Sequence, residues 1–146
     1  MLPEVPFRVL AVLHAAPTLF LCGLIWFVQV VHYPLYAGVG AERSAEYERE
    51  HCRRTNRVVL VPMLLELGLA AWLLAAAPAP LIAWTATGML LVVVVWASTF
   101  LLQVPCHRRL AFGQDLGVIR RIVATNWLRT AAWTARAALA LWLLVV

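Results

Sequence analysis

Four long apolar stretches constrain this chain more than any other feature of its sequence. They cover residues of about 9–31, 58–77, 81–104 and 122–146. A helix rises 1.5 Å per residue, so about 20 apolar residues cross the roughly 30 Å hydrocarbon core of a bilayer. Each stretch is long enough to do so. We therefore predict four transmembrane helices.

The composition excludes a soluble globular domain. Of the 146 residues, 64% are apolar and 13% are charged, and the mean hydropathy is +0.85. A chain of this size has too little interior to hide so much apolar surface from water. The sequence predicts an all-α fold, an integral membrane four-helix bundle forming one domain over residues 1–146, with the first stretch retained as a helix.

Prolines and charges predict where the elements end. Tyr33-Pro34 is expected to end the first helix and Pro105 the third, because proline disfavours helix in the residue before it. The run 77–80, Ala-Pro-Ala-Pro, predicts a tight hairpin. Residues 41–55 alternate in charge and predict an additional short helix lying along the membrane interface in the first loop.

The arginines predict the orientation in the membrane. Cytoplasmic loops carry an excess of basic residues. The two loops on one side, 32–57 and 105–121, hold nine of the chain's 12 basic residues, whereas the terminal side holds only Arg8. We expect these loops to be cytoplasmic and both termini to face outward, in a bacterial inner membrane. The nine are Arg43, Arg49, Arg53, Arg54, Arg57, Arg108, Arg109, Arg120 and Arg121.

The net charge of +5 is interpreted in the same way. Arginines in short loops between apolar spans contact lipid headgroups, so membrane lipids are the expected partners and nucleic acid is not. The three cysteines, Cys22, Cys52 and Cys106, are odd in number and lack CxxC spacing. No disulfide framework is implied.

Polar residues inside the apolar stretches indicate a polar interior. On the first helix His14, Thr18, Cys22, Gln29 and His32 follow helical spacing. Unpaired polar groups do not face lipid, so such stripes are expected to face one another.

One ion pair is predicted within that interior. Glu66 and Arg129 lie at similar depths from the cytoplasmic ends of their helices and are the expected pair, either a structural clasp or part of a site. Asn126, one turn before Arg129, can bond either partner or a ligand.

The histidines suggest a metal site. His32, His51 and His107 all lie at the cytoplasmic boundary, on three different elements. Three imidazoles suit Fe, Cu or Zn with an open position. Histidines are also common at membrane interfaces, so a site without metal stays open. Tyr47, one turn before His51, could orient it or serve redox chemistry, and a haem between His32 and His107 is a minor option.

The C-terminal third carries a family resemblance. Residues 98–110, with the helix end at Val104-Pro105, and residues 123–130, with Asn126-Trp127-Leu128-Arg129, resemble the DUF1772 (anthrone oxygenase-like) membrane proteins. The first half is similar to a bacterial branch of these small four-helix proteins. The resemblance implies oxygenation of a hydrophobic substrate that enters from the bilayer, with His107, Asn126 and Arg129 at the site.

Three functions stay open at the level of sequence. The first is a membrane-embedded oxidoreductase that uses the three histidines, with Glu66, Asn126, Arg129 and Tyr47 supporting catalysis. The second is a non-enzymatic small subunit or assembly factor of a larger membrane complex. The third is a small transporter, which requires a homo-oligomer because four helices alone form a narrow path.

Overall fold

The chain is mostly helical over the part described by the computed structural model, residues 6–146. Within these residues there are six α-helices and no strand. The helices are α1 (Phe7–Phe27), α2 (Tyr33–Leu35), α3 (Ala41–Ala75), α4 (Ile82–Ser98), α5 (Val104–Leu110) and α6 (Leu116–Trp142). A π-helical segment, Val28–His32, joins α1 to α2, and a second one, Thr99–Gln103, joins α4 to α5.

Three helical segments are long and apolar enough to cross a membrane. They are Phe7–Gly38, Ala41–Ala75 and Ala79–Leu110. They correspond to the first three predicted spans. The last predicted span coincides with most of α6, which does not reach the same apolar content within the described residues and carries Asn126, Arg129 and Arg136 along its length.

The prediction that prolines end two helices is wrong. The helical path continues past Pro34 to Gly38 and past Pro105 to Leu110. Proline in a helix lacks an N–H donor, and its ring clashes with the carbonyl four residues earlier. Here that carbonyl belongs to Val30 or Leu101, and both lie in the π-helical segments. The wider π turn accommodates the ring and keeps the helix continuous.

The predicted separate interfacial helix at residues 41–55 is also not present as such. These residues form the first part of α3, which runs without a break from Ala41 to Ala75. Nothing in the sequence between 55 and 58 stops a helix, since Asn56 and Arg57 are tolerated in its interior. The charged part of the helix therefore continues directly into the apolar part.

Of the two loop predictions, the hairpin agrees with the structure and the start of the last helix does not. The tight hairpin is confirmed, because α3 ends at Ala75 and a 3-10 turn, Ala79–Leu81, leads into α4. The last helix begins at Leu116, six residues before the predicted start. Asp115 caps it by accepting hydrogen bonds from the backbone N–H groups of Gly117 (2.9 Å) and Val118 (3.1 Å).

The long helices pack side by side around three apolar layers. α1 contacts α3 and α6, and α4 contacts α6 and α3. Leu10, Leu73 and Leu143 fill the layer at the hairpin end. The middle layer contains Ile25, Met63, Val95 and Trp133. The layer at the charged end contains Tyr33, Tyr36, Leu110 and Ile119, and the candidate site lies between these last two layers.

Candidate metal centre and adjoining cavity

A cluster of polar side chains forms where the π-helical ends of two spans meet the charged part of α3. Tyr33 begins α2 directly after the first π-helical segment. Glu48, His51 and Cys52 lie on successive turns of α3, because residues at i, i+3 and i+4 share a helix face. His107 lies on α5, two residues after Pro105. The continuation of the helix past Pro105 is what brings His107 to this cluster.

Glu48 is the centre of this cluster. Its side chain is 1% exposed. Its Oε1 atom accepts a hydrogen bond from His107 Nδ1 at 2.6 Å and one from Cys52 Sγ at 3.1 Å. Its Oε2 atom is buried without a hydrogen-bond partner, and so is the Tyr36 hydroxyl, which lies beside the Glu48 side chain. A buried carboxylate with spare acceptor capacity is costly unless a donor or cation neutralises it.

His107 is held at both ring nitrogens. Since Nδ1 donates to the Glu48 carboxylate, Nε2 is free to accept from the Tyr33 hydroxyl at 3.0 Å. The hydroxyl also lies beside the Arg129 guanidinium. Tyr33 therefore fixes the ring orientation and the tautomer of His107.

Three donor atoms converge closely enough to bind one cation. Glu48, Cys52 and His107 each offer one ligand atom, and these atoms all lie within 4.8 Å of one another. A carboxylate oxygen, a sulfur and an imidazole nitrogen form a mixed donor set that suits zinc, iron or copper.

The three histidines predicted as ligands are adjacent, but only His107 belongs to the convergent group. His32 and His51 stack with ring centroids 4.6 Å apart, and their Nε2 and Nδ1 atoms share a hydrogen bond of 2.8 Å. His51 stacks on His107 at 5.4 Å. The histidines thus form a row of rings beside the donor group.

The minor option of a haem between His32 and His107 does not fit this arrangement. His51 lies between the two rings and stacks on both of them. A porphyrin would need the space that the His51 ring fills. The sequence placed the two histidines at similar depth but could not reveal the side chain between them.

A cavity of about 310 Å³ adjoins the cluster on its apolar side. This volume lies at the lower end of the range of small-molecule pockets. Cys52, His51, His107 and Tyr33 line one end of it, and Arg129 also faces it. The remaining wall is mainly apolar and comes from α1, α3, α4 and α6, including Leu21, Ile25, Met63, Trp96, Phe100 and Trp133.

Arg129 and Asn126 lie close together on one face of α6, as the sequence predicts. Arg129 Nη1 donates to Asn126 Oδ1 at 3.2 Å, and Asn126 Nδ2 donates to Gln29 Oε1 at 2.9 Å. Gln29 also donates to the backbone carbonyl of Val123 at 3.1 Å. This network ties the first π-helical segment to α6 and fixes the position of the guanidinium.

The predicted ion pair between Glu66 and Arg129 is wrong. Glu66 pairs with Arg136, seven residues further along α6, and both side chains are 1% exposed. Arg136 also donates to His14 Nε2 at 2.9 Å and to the backbone carbonyl of Gly88. Glu66 does not line the cavity. Its predicted role in catalysis there therefore stays a prediction.

Tyr47 lies at the edge of the cluster. It is 38% exposed and packs edge-on against Tyr36, with centroids 5.4 Å apart. The hydrogen bonds to His51 come from His32 and from Thr55, at 2.8 and 3.2 Å, rather than from Tyr47.

Sequence reasoning missed Tyr33, Cys52 and the central role of Glu48. The spacing Glu48-x-x-His51 was visible but is one of several glutamate spacings in 42–50, and Cys52 has no partner cysteine nearby in sequence. The available signal was helical spacing, since Glu48 and Cys52 are four residues apart. Comparison with known proteins adds nothing to this description: no protein-family model, no curated protein and no solved structure matches the chain.

Proposed function

We propose that this protein is a membrane-embedded oxidoreductase of the oxygenase type that acts on an apolar substrate. A transition metal bound by Glu48, Cys52 and His107 would be its cofactor. One observation carries the proposal. Cys52 and His107 belong to the convergent donor group and also line the cavity. A molecule in the cavity therefore lies directly against the donors.

The donor group fits a metal by its chemistry. His107 Nδ1 and Cys52 Sγ each donate a hydrogen bond to the same Glu48 oxygen. The two protons of these bonds lie between the three donor atoms, in the space that a cation bound to all three would occupy. Metal binding replaces such protons. Three protein ligands leave a coordination position open, and iron or copper bound there would supply the activation of dioxygen.

The neighbouring residues have roles of their own. Tyr33 orients His107 through its hydroxyl, at 3.0 Å from Nε2. His51 lines the cavity and is placed to move a proton to or from a bound molecule. Arg129 presents a positive charge in an apolar setting, where it stabilises negative charge that develops on a substrate oxygen.

The proposal includes four transmembrane helices with the site near the cytoplasmic end. α6 packs against α1 and α4, and its outward residues Trp127, Leu128 and Leu141 are each 49% exposed. Its polar residues Asn126 and Arg136 are buried. A helix with polar groups inward and apolar groups outward can cross a bilayer despite a modest average hydropathy.

Metal analysis of purified protein tests the proposal. After loading with Fe, Cu or Zn and removal of excess metal, we expect about one ion per chain, because three convergent donors form one site. Glu48→Gln and Cys52→Ser should lose most of it. Glu46→Gln and Cys22→Ser are the matched controls and should retain it, as should His32→Ala, which alters a histidine outside the donor group.

Two results would contradict the proposal. Absence of bound metal after loading with each of the three ions rejects the metal centre. For the reaction class, metal-loaded protein is incubated with a membrane lipid extract under ¹⁸O₂, with ascorbate as the electron donor that reduces the second oxygen atom to water. Mass spectrometry measures label in the lipids. If no label above that of Glu48→Gln appears with iron or copper, the chain is not an oxygenase of these substrates.

A further inference from the structure

The cavity contains one charged side chain that has no counter-ion. Among the described residues that line the cavity, Arg129 is the only charged one, and none is Asp or Glu. Over the described residues, no carboxylate lies within 4.0 Å of its guanidinium, whereas the buried Arg136 is paired with Glu66. The two arginines lie on the same helix, and only one is neutralised.

The guanidinium also has unused hydrogen-bonding capacity. Arg129 Nη1 donates to Asn126 at 3.2 Å and the guanidinium lies beside the Tyr33 hydroxyl, but its Nε is buried without a partner. A guanidinium has five N–H donors and no acceptor. An unpaired charge in an apolar setting is unfavourable unless an anion or a set of acceptors approaches it. An anion or acceptor that binds in the adjoining cavity can reach the guanidinium.

We propose that the cavity binds a single-chain amphiphile whose carboxylate pairs with Arg129 and whose apolar chain lies along α1, α3 and α4. This proposal rests on the proposed function, since it names the substrate class of the same cavity. Arginine matches the planar, two-oxygen geometry of a carboxylate. Leu24, Met63 and Phe100 supply the apolar wall for the chain.

The size of the cavity limits the chain. Water occupies about 30 Å³ in the liquid, so about 310 Å³ holds about ten groups of that size. One short acyl chain fits, and the two long chains of a phospholipid do not. Leu60 and Phe100 line the cavity and are also exposed on the outer surface, which places an opening between α3 and the second π-helical segment, facing the lipid.

Binding of decanoate tests the proposal. The probe carries bromine on its last carbon and quenches Trp96 and Trp133, which line the cavity. Protein stripped of metal with a chelator is placed in phosphatidylcholine nanodiscs at neutral pH. Only the saturable quenching is scored, because probe dissolved in lipid quenches exposed tryptophans without saturation. Brominated decanol is the neutral comparison.

We expect decanoate to bind at least about tenfold more tightly than decanol, because hydrogen bonds to charged groups are the stronger ones. Arg129→Gln should remove this preference and Arg129→Lys should retain part of it. Arg120→Gln, an exposed arginine on the same helix, is the matched control and should change nothing.

Three outcomes would overturn the proposal. They are equal binding of decanoate and decanol to the unaltered protein, a preference that survives Arg129→Gln, and loss of decanoate binding in phosphatidylglycerol nanodiscs. The last would assign Arg129 to lipid headgroups. The comparison on unaltered protein needs no variant to fold. Because the metal is absent throughout, failure of the metal centre and failure of this site are distinguishable.

Discussion

At the scale of single residues, Glu66 and Arg136 form the most buried charged contact in the described part of the chain. Each side chain is 1% exposed. His14 lies 3.6 Å from Glu66, and the Arg136 guanidinium lies 5.7 Å from the centre of the Trp133 ring. A Cβ at Gly88 would lie 3.3 Å from Leu139 Cδ2, so the glycine allows close packing of α4 against α6 beside this contact. The contact ties α1, α3, α4 and α6 together away from the cavity.

Glu66→Gln should lower the free energy of unfolding by about 3–5 kcal/mol, because it leaves Arg136 buried without a counter-charge. Thermal unfolding in detergent measures the change. The exposed substitution Glu46→Gln should stay within about 0.5 kcal/mol of the unaltered protein. The double variant Glu66→Leu with Arg136→Leu should recover much of the loss. A single variant as stable as the unaltered protein would show that the pair contributes no net stability.

The partner of Glu66 shows the limit of comparing the depths of two residues by counting from the cytoplasmic ends of their helices. Arg129 and Arg136 are seven residues apart and lie on the same face of α6. Counting from the loop arginines compares depths only if neighbouring helices start at the same level. α3 extends well beyond its apolar part and α6 begins at Leu116, so the offset between helices decides the partner. That offset depends on packing of the whole chain and is not contained in either helix alone.

At the scale of elements, the two π-helical segments are the features that position the site. Each ends two residues before a proline, at Pro34 or Pro105. Buried polar side chains hold both segments: Gln29 bonds α6, and Gln103 donates to Thr125 at 3.2 Å. The prolines are visible in the sequence, but the rule that proline disfavours helix in the residue before it predicts that each helix ends there. Only packing reveals that the helix adapts and continues to His107.

Pro105→Ala should rotate the segment that follows it. Alanine restores the N–H donor and favours a regular α-helical turn by about 3 kcal/mol relative to proline. A change from a π to an α turn moves Cys106, now 4% exposed, out of its buried position. Maleimide labelling of Cys106 in a Cys22→Ser, Cys52→Ser background should become several-fold faster.

Pro17→Ala is the matched control, since Pro17 lies within α1 away from either π-helical segment. It should leave the labelling of Cys106 unchanged. If Pro105→Ala also leaves labelling unchanged, the hydrogen bonds of Gln103 hold the π turn and the proline does not.

At the scale of the whole molecule, the apolar stretches predict the architecture better than they predict the site. Three of the four spans coincide with helices long and apolar enough to cross a membrane. The fourth is ambiguous because averaging over α6 mixes its inward and outward faces. Its buried Asn126 and Arg136 lower the average, whereas the exposed Trp127 and Leu128 face outward. The bilayer contacts only the outward face of α6, and packing decides which residues lie on that face.

Fusions of alkaline phosphatase, which is active only outside the cytoplasm, test this arrangement in a bacterial host. Fusions after Pro78 and after Val146 should be active and one after Phe112 inactive, because basic loops stay in the cytoplasm. Green fluorescent protein at the same positions should give the opposite pattern. A Val146 fusion that behaves like the Phe112 fusion would mean that α6 does not cross. Reversal at all three positions would instead keep four spans but contradict the orientation, and would place the Glu48 cluster at the outer surface of the membrane.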